Sequence, residues 1–364
     1  MTEQAQLLQI RQEIDAIDRQ IQELVSQRAK CAQKVAEIKT QGGRVDAVFY
    51  RPEREAQVLR AVKARNMGPI PDDEMVRLFR EIMSICLALE QPLTVAYLGP
   101  EGSYSHASVM KQFGSSVQPL AVSSIEAVFA CVEKSEAHYG VVPVENSSEG
   151  VVKATQEALL TTELKVCGEV DLRIHHCLLS KADKLESIQK VVAHSQALGQ
   201  CRHWLDNNMP WVETEAVSSN AQAAKMAQSL SELAAIASEE AAQLYQLRVL
   251  QRHIEDRHDN TTKFWVLGKS VTEPSGEDKT ALILSIPNKA GALLEVLKSF
   301  AERQISMTRI ISRPSLNGKW DYLFYIDILG HKEDANVQQA LKEISEQAQF
   351  FKILGSYPVS PFEE

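Results

Sequence analysis

Arg28 and Lys39 stand eleven residues apart in a stretch that otherwise carries apolar residues at heptad spacing: Leu7, Ile10, Ile14, Ile17, Ile21, Leu24, then Cys31, Val35 and Ile38. Arg28 takes the one seam position between Leu24 and Cys31. A cation there is either a register device or a ligand for a buried anion. Lys39 favours the second reading, because eleven residues are about three helical turns and bring both side chains to one side, roughly 16 Å apart. Together they can close on a small dianion. Arg11 points about 100° away and lies about 25 Å from Arg28, so it serves the same site only if a second copy of the helix brings it there.

A second set of chemistry-bearing residues lies in Val95–Ser108, VAYLGPEGSYSHAS. It reads as a buried strand breaking at Gly99-Pro100 into a turn rich in glycine and hydroxyls, then a helix from about Ser105. Free backbone N–H groups at a helix start suit an anion. The spacing is not a dinucleotide fingerprint, since Gly99 and Gly102 are three apart and no Lys-Ser/Thr follows. Comparable strand ends recur at Ser123-Ser124, Asn146-Ser147-Ser148, Ser218-Ser219-Asn220 and Ser238. Each alone reads as ordinary N-capping. Together they suggest a cleft lined by helix N-termini, where local dipoles worth up to ~1–2 kcal/mol each hold a dianion. His106 and His194 are candidate acids or structural hydrogen-bonding groups.

Composition limits the classes open to the chain. At 364 residues it should hold two or three domains. A net charge of −9 and a pI near 5.6 argue against nucleic acid or an anionic membrane as partner. No run approaches the ~18 apolar residues of a spanning helix, and the charged N-terminus lacks the apolar core of a signal peptide. The six cysteines, at 31, 86, 131, 167, 177 and 201, show neither CxxC nor paired-histidine spacing. Free thiols in a cytoplasmic chain are expected, with no metal site and no cofactor.

Three regions position these residues. Residues 1–92 read as all-α: a helix of more than 30 residues ended by Gly42-Gly43, a second starting at Pro52 with Arg54 and Glu55, and a third after Pro71-Asp72-Asp73. The third places Ile82, Cys86 and Glu90 on one side. One chain cannot bury the long stripe, so an intertwined dimer is expected. Residues 93–270 alternate strand and helix, an α/β class, with strands at 93–98, 117–121, 139–144, 174–179, 191–194, 212–215, 234–237 and 264–267. A polar linker, SVTEPSGEDK at 270–279, leads to residues 278–364, whose βαββαβ order with an Asn317-Gly318 turn is a ferredoxin-like α+β pattern.

Several motifs carry a resemblance. Arg11, Arg28, Lys39, the Arg51-Pro-Glu-Arg-Glu55 segment and the Cys86/Glu90 pair resemble the all-helical chorismate mutases, intertwined dimers of three-helix subunits. The resemblance implies that Arg28, Lys39 and Arg54, with Arg11 of the partner subunit, clamp the two carboxylates of chorismate. It also implies that Glu55 bonds the ring hydroxyl and that Glu90 donates to the ether oxygen, with Arg51 and Cys86 completing the set. In some relatives an Asp takes the place of Arg51 and a Gln that of Glu90. A glutamate donates only when protonated, so mutase activity is expected to decline as pH rises.

GPEGSYSH at 99–106, VPVENSSEG at 142–150, His194-Ser195-Gln196 and DNTTKF at 259–264 resemble prephenate dehydratase, a two-lobed, periplasmic-binding-protein-like fold hinged around a cleft. The resemblance implies decarboxylation of prephenate with loss of its ring hydroxyl, giving phenylpyruvate. It implies Thr262 as donor to that hydroxyl or its positioner, with Asn146, Ser147 and Ser105 near the substrate. The family usually has Thr-Arg-Phe where this chain has Thr262-Lys263-Phe264, and lysine lacks the bidentate fork. In the tail, Asn288, Gly291, Ala292 and Leu293 of PNKAGALL and Ser312-Arg313 of SRP resemble the GALL and ESRP motifs of amino-acid-binding ACT domains. That implies feedback inhibition by phenylalanine bound between paired tails, with Ile311 replacing the motif glutamate. Together the resemblances imply a homo-oligomeric, cytoplasmic two-step enzyme of phenylalanine biosynthesis. The competing class is a ligand-sensing regulatory protein, a two-lobed binding module with an ACT tail.

Overall fold

The computed structural model describes residues 2–41, 48–287, 289–314 and 322–361. The expected helix stop at Gly42-Gly43, Asn288 and the Asn317-Gly318 turn lie outside the described residues. Three helices open the chain: α1 (Glu3–Thr40), α2 (Pro52–Arg65) and α3 (Asp72–Glu90). Pro52 opens α2 because its fixed φ and missing N–H suit a first helical position, and Glu53 and Glu55 complement the N-terminal dipole. α1 packs on α3, yet Leu7, Ile10, Ile14, Ile17, Ile21 and Leu24 are 47–62% exposed. The heptad stripe is therefore an open surface in one chain. Among the described residues no helix is long and apolar enough to cross a membrane.

The next segment builds two lobes. Lobe I holds β1 (Thr94–Leu98), α4 (Tyr104–Phe113), β2 (Gln118–Val122), α5 (Ile125–Glu133), β3 (Tyr139–Asn146), β4 (Gly150–Val151), α6 (Lys153–Thr161) and β5 (Lys165–Arg173). The chain crosses to lobe II, which holds β6 (Cys177–Ser180), β7 (Lys190–His194), α7 (Ser195–Gln200), α8 (Arg202–Asn208) and β8 (Glu213–Val217). α9 (Asn220–Ala227), β9 (Leu233–Ala237), α10 (Glu239–Leu244) and β10 (Arg248–Gln251) complete it. A second crossover, 252–260, returns the chain to lobe I as β11 (Thr261–Gly268). Among the described residues the lobe I sheet has the order β2-β1-β3-β11-β5, with β4 on β3, and the lobe II sheet the order β10-β6-β9-β7-β8. The two crossovers bind each other: Ile174 N–H donates to Asn260 O at 2.8 Å and Ile254 N–H to His176 O at 3.0 Å.

The tail follows as β12 (Asp278–Ile286), α11 (Ala292–Ala301), β13 (Met307–Pro314), β14 (Tyr322–Leu329), α12 (Ala335–Gln347) and β15 (Phe350–Pro358). Its antiparallel sheet, ordered β13-β14-β12-β15, has the expected ferredoxin-like topology. The two-residue period of a strand gives each sheet two faces. Leu282, Leu284, Ile326 and Ile328 meet α11 and α12, whereas Ala281, Ile283, Tyr325 and Tyr357 join Val166, Trp265 and Leu267 in one core shared with lobe I.

Three expectations change. The strand expected at 174–179 starts at Cys177, because residues 174–176 form the first crossover. β5 was hidden from pattern reading by Gly168 and Glu169, which interrupt its apolar run; Glu169 is buried and paired with Lys263 at 3.3 Å and Lys279 at 2.5 Å. The polar stretch 270–279 is no solvated linker, since Thr272 and Ser275 are buried. Arg60 of α2 donates to the carbonyls of Ser275, Glu277 and Val359 at 3.5, 2.8 and 3.0 Å. The Asp278 carboxylate accepts the N–H groups of Ser275 and Gly276 at 2.8 and 3.1 Å.

Tail and lobe I approach so closely that a Cβ on Gly355 would stand 2.1 Å from the Val166 carbonyl oxygen. No side chain there can step aside, because the obstacle is backbone. Gly355→Ala should therefore destabilise the protein by roughly 3 kcal/mol, the upper end of overpacking costs, seen as a lower calorimetric melting temperature. An unchanged melting profile would contradict this packing.

Candidate functional site

Two cavities gather the residues singled out by sequence. The larger, about 480 Å³, lies between the lobes. Its walls come from the starts of α4, α7 and α9, the end of β3, and alternate residues of β11, among them Ser105, Asn146, Asn260, Thr262 and Phe264. Capping and cleft-lining coincide at three of the five expected strand ends, whereas Ser124 caps α5 away from the cavity and the Asn146 turn caps no helix. Ser103, Ser219 and Ser238 each accept an N–H of their own helix, from His106, Gln222 and Ala241. Those hydroxyls are used locally, while the helix starts they cap surround the cavity.

Asn146 sets the polar geometry. Its Oδ1 accepts the N–H groups of Ser148 and Glu149 at 2.9 and 3.0 Å, which fixes the orientation of the amide. Its Nδ2 then donates to Asn260 Oδ1 and to Thr262 Oγ1, both at 2.8 Å. A threonine oxygen that accepts from Asn146 keeps its own proton for another partner. Asn260 continues the chain to Gln200 Oε1 at 3.3 Å, and Gln200 lies 2.8 Å from His176 Nε2. His176 Nδ1 in turn lies 2.8 Å from the Tyr104 hydroxyl, so one network ties both lobes. Asn260 and Gln200 escaped attention by sequence, although Asn260 stands inside the quoted DNTTKF motif.

Ser147, expected beside the substrate, lies in the turn after β3, its hydroxyl 3.5 Å from Asn260 Oδ1 of the cleft wall. Its hydroxyl accepts the Thr261 N–H at 3.0 Å and donates to the Asp259 carbonyl at 3.3 Å, on the hollow toward the tail. Lys263 faces that hollow too, pairing with Asp171 at 2.7 Å. His194 Nδ1 accepts the Gln196 N–H as the cap of α7. His106 Nδ1 accepts the Gly102 N–H at 3.4 Å, and burial lowers its pKa, keeping it a neutral acceptor.

The smaller cavity, about 200 Å³, lies among the first three helices and is lined by Arg28, Lys39, Arg51, Arg54, Glu55, Cys86 and Glu90. Lys39 Nζ also donates to the Val48 carbonyl at 3.0 Å, holding the segment that follows α1 against the site. Burial raises the pKa of Glu90, opposed by the charges of Lys39 and Arg28. Two residues turn partly away. Arg51 points its guanidinium at Glu53 (2.9 Å) and Glu273 (2.7 Å), because it sits in extended backbone before Pro52. Glu55 is buried with Oε1 directed at Arg80 (3.4 Å) and the Tyr50 hydroxyl (3.5 Å). Arg11 is not among the lining residues of one chain. Tyr50 was missed; it lines this cavity and meets Phe113 of lobe I at a tilt and Tyr139 edge-on, with ring centroids 5.0 and 5.1 Å away.

In the tail, Gly291 takes a left-handed φ of 85° as the N-cap of α11, where a side chain would strain the turn. Ala292 and Leu293 pack partly on the tail's own core, and Ser312 is exposed on β13, an edge strand. Arg313, expected at the amino-acid site, reaches Gln156 and Glu157 of α6 at 3.1 and 3.2 Å. Ile311 packs against the shared core, which accounts for an apolar residue at that position.

Residues 10–91 match the chorismate mutase type II family model, residues 95–272 that of prephenate dehydratase, and residues 280–346 that of the ACT domain. The chain is similar to the bifunctional chorismate mutase/prephenate dehydratase of Pseudomonas aeruginosa, 49% identical over 98% of this chain and 99% of the relative. It is 50% identical, over the same shares, to the enzyme of that name from Stutzerimonas stutzeri. Among solved structures it is similar to a prephenate dehydratase in complex with L-Phe from Arthrobacter aurescens, 32% identical with a TM-score of 0.67, over 73% of this chain and 90% of that one. With half of its residues shared along nearly the whole of both chains, the protein belongs to the bifunctional chorismate mutase/prephenate dehydratase family.

Proposed function

We propose that the chain rearranges chorismate to prephenate in the helical cavity, then decarboxylates and dehydrates prephenate to phenylpyruvate in the interlobe cleft, under feedback inhibition by phenylalanine. The observation that carries this is the coexistence, in one chain, of the cation-lined cavity of the helical head and the Asn146–Thr262 pair in the cleft. We read residues 1–92, 93–270 and 278–364 as the mutase, dehydratase and regulatory domains.

The first reaction is a unimolecular rearrangement, so the protein needs only to hold a compact conformer and to stabilise charge at the breaking ether bond. Arg28, Lys39 and Arg54 meet the carboxylates, and protonated Glu90 donates to the ether oxygen. The uncovered stripe of α1 supports a homodimer in which Arg11 of the partner subunit closes the cavity. Each stripe side chain fully buried there adds about 1.5–3 kcal/mol.

In the second reaction carbon dioxide leaves one ring carbon as hydroxide leaves the opposite one, and water forms once the hydroxide gains a proton. Thr262 donates to the departing oxygen, oriented by Asn146. Phe264 and other apolar wall groups desolvate the carboxylate, raising its energy before it leaves. Ser105, buried in the first turn of α4, faces the same cavity. For regulation, Gly291–Leu293 and the open edge of β13 support phenylalanine binding between paired tails.

Incubation with chorismate should show its loss and the appearance of phenylpyruvate together, the second step slowing as phenylalanine is added. A ligand sensor without catalysis would yield neither change. Thr262→Val keeps the shape of the side chain and removes its proton; kcat of the dehydratase should fall on the order of 10²–10⁴-fold while the mutase rate stays unchanged. A dehydratase rate equal to wild type would remove Thr262 from the mechanism. For Glu90 the protonated form is active and its pKa is raised, so mutase kcat should be highest at low pH and decline as pH rises through that pKa. Glu90→Gln should flatten the profile; an identical decline in the variant would assign it to another group.

A further inference from the structure

The two crossovers between the lobes carry a cluster that neither reaction uses. His175, on the first crossover, places Nδ1 at 2.8 Å from Glu255 Oε1 and 3.0 Å from His253 Nδ1, both on the second. His253 Nδ1 and Glu255 Oε1 are 3.6 Å apart, and His258 Nδ1 stands 3.6 Å from the same carboxylate oxygen. The three atoms of His175, His253 and Glu255 all lie within 4.8 Å of one another. A tetrahedral ion with bonds of about 2.0–2.1 Å holds its ligand atoms roughly 3.3 Å apart, so the triangle already has the dimensions of a coordination face.

Hydrogen bonding alone does not satisfy this triangle. An imidazole nitrogen carries either one proton or one lone pair, so His175 Nδ1 cannot serve both Glu255 and His253. A cation at the common point would engage all three. The carboxylate is also supported as metal ligands are: its side chain is 1% exposed, and its other oxygen accepts the His176 N–H at 2.8 Å, which turns Oε1 toward the histidines. His253 is held at a φ of 54°, an unusual conformation for a residue with a Cβ. His175 and His253 are 37% and 55% exposed at the side chain, which leaves an open way in.

We propose that His175, His253 and Glu255 bind one divalent transition-metal ion of the zinc class, with His258 or water as the fourth ligand. Imidazole nitrogen with a single carboxylate suits such ions over magnesium or calcium. The ion would cross-link both interlobe crossovers, one residue from His176 and its network into the cleft. Sequence reading led to the opposite expectation, because His175 stands 78 residues before His253. The local His253-x-Glu255-x-x-His258 run was the available signal.

The test uses the untagged, chelator-stripped full chain titrated with Co²⁺ alone, followed by visible ligand-field absorption, with Zn²⁺ as competitor. The expected result is one ion per chain at micromolar or lower concentration, displaced by Zn²⁺, with a higher melting temperature in the loaded protein. Glu255→Gln preserves shape and the bond from His176; His253→Asn tolerates the positive φ. Each should weaken binding by more than the roughly 10–100-fold that loss of a supporting contact costs, and each should lose the melting shift. No saturable binding in the micromolar range overturns the proposal, as does Co²⁺ binding with equal affinity and spectrum in both variants.

Discussion

Much of this molecule depends on the two faces of strand β11. Antiparallel to β3 on one side and β5 on the other, it has no freedom to rotate about its axis. Thr262 therefore faces the cleft and Lys263, one residue of about 3.3 Å along, faces the tail. There Lys263 joins Glu169 and Asp171, in a hollow that also holds Lys279, Arg309 and Asp327 from the tail. Arg309 donates to Glu145 at 2.8 Å and lies over the Trp265 ring at 5.4 Å. Burial pushes the Asp327 acid up to about 6 despite the nearby Arg309. The cleft wall and the contact with the tail thus lie on opposite faces of one strand. Lysine in place of arginine after Thr262 alters the ion cluster, not the cleft.

The cleft itself is built from locally satisfied parts. Each capping hydroxyl completes its own helix, and Asn146 completes its own turn before it reaches across to Thr262. Polar groups already bonded to the protein keep their direction without a ligand, which is what electrostatic preorganisation requires.

Legibility in the sequence followed the range of the cause. The heptad seam of α1, the Pro52 helix start and the order of the tail depend on neighbours a few residues away, and pattern reading found them. Long-range pairing left weaker traces. β5 looks too polar for a strand until Glu169 finds its two lysines, and 270–277 looks like a linker until Arg60 reaches it. Arg313 carries motif identity yet bonds α6, because strand alternation turns its side chain toward lobe I. The histidines at the crossovers meet only through the second passage of the chain between lobes.

The clamp made by Arg60 has a consequence for how the protein is made. Arg60 is synthesised long before one of its partners, Val359, which stands 299 residues later. α2 also packs on β15, the last strand. On the ribosome the helical head can form its own turns early, but the face that carries Arg60 waits for β15 and Val359 to emerge. Contacts of such sequence separation form late, after loop-closure entropy has been overcome. The face of the head that Arg60 occupies is thus left open in a nascent chain until β15 and Val359 have been made, whereas the contacts of Tyr50 with Phe113 and Tyr139 can form sooner.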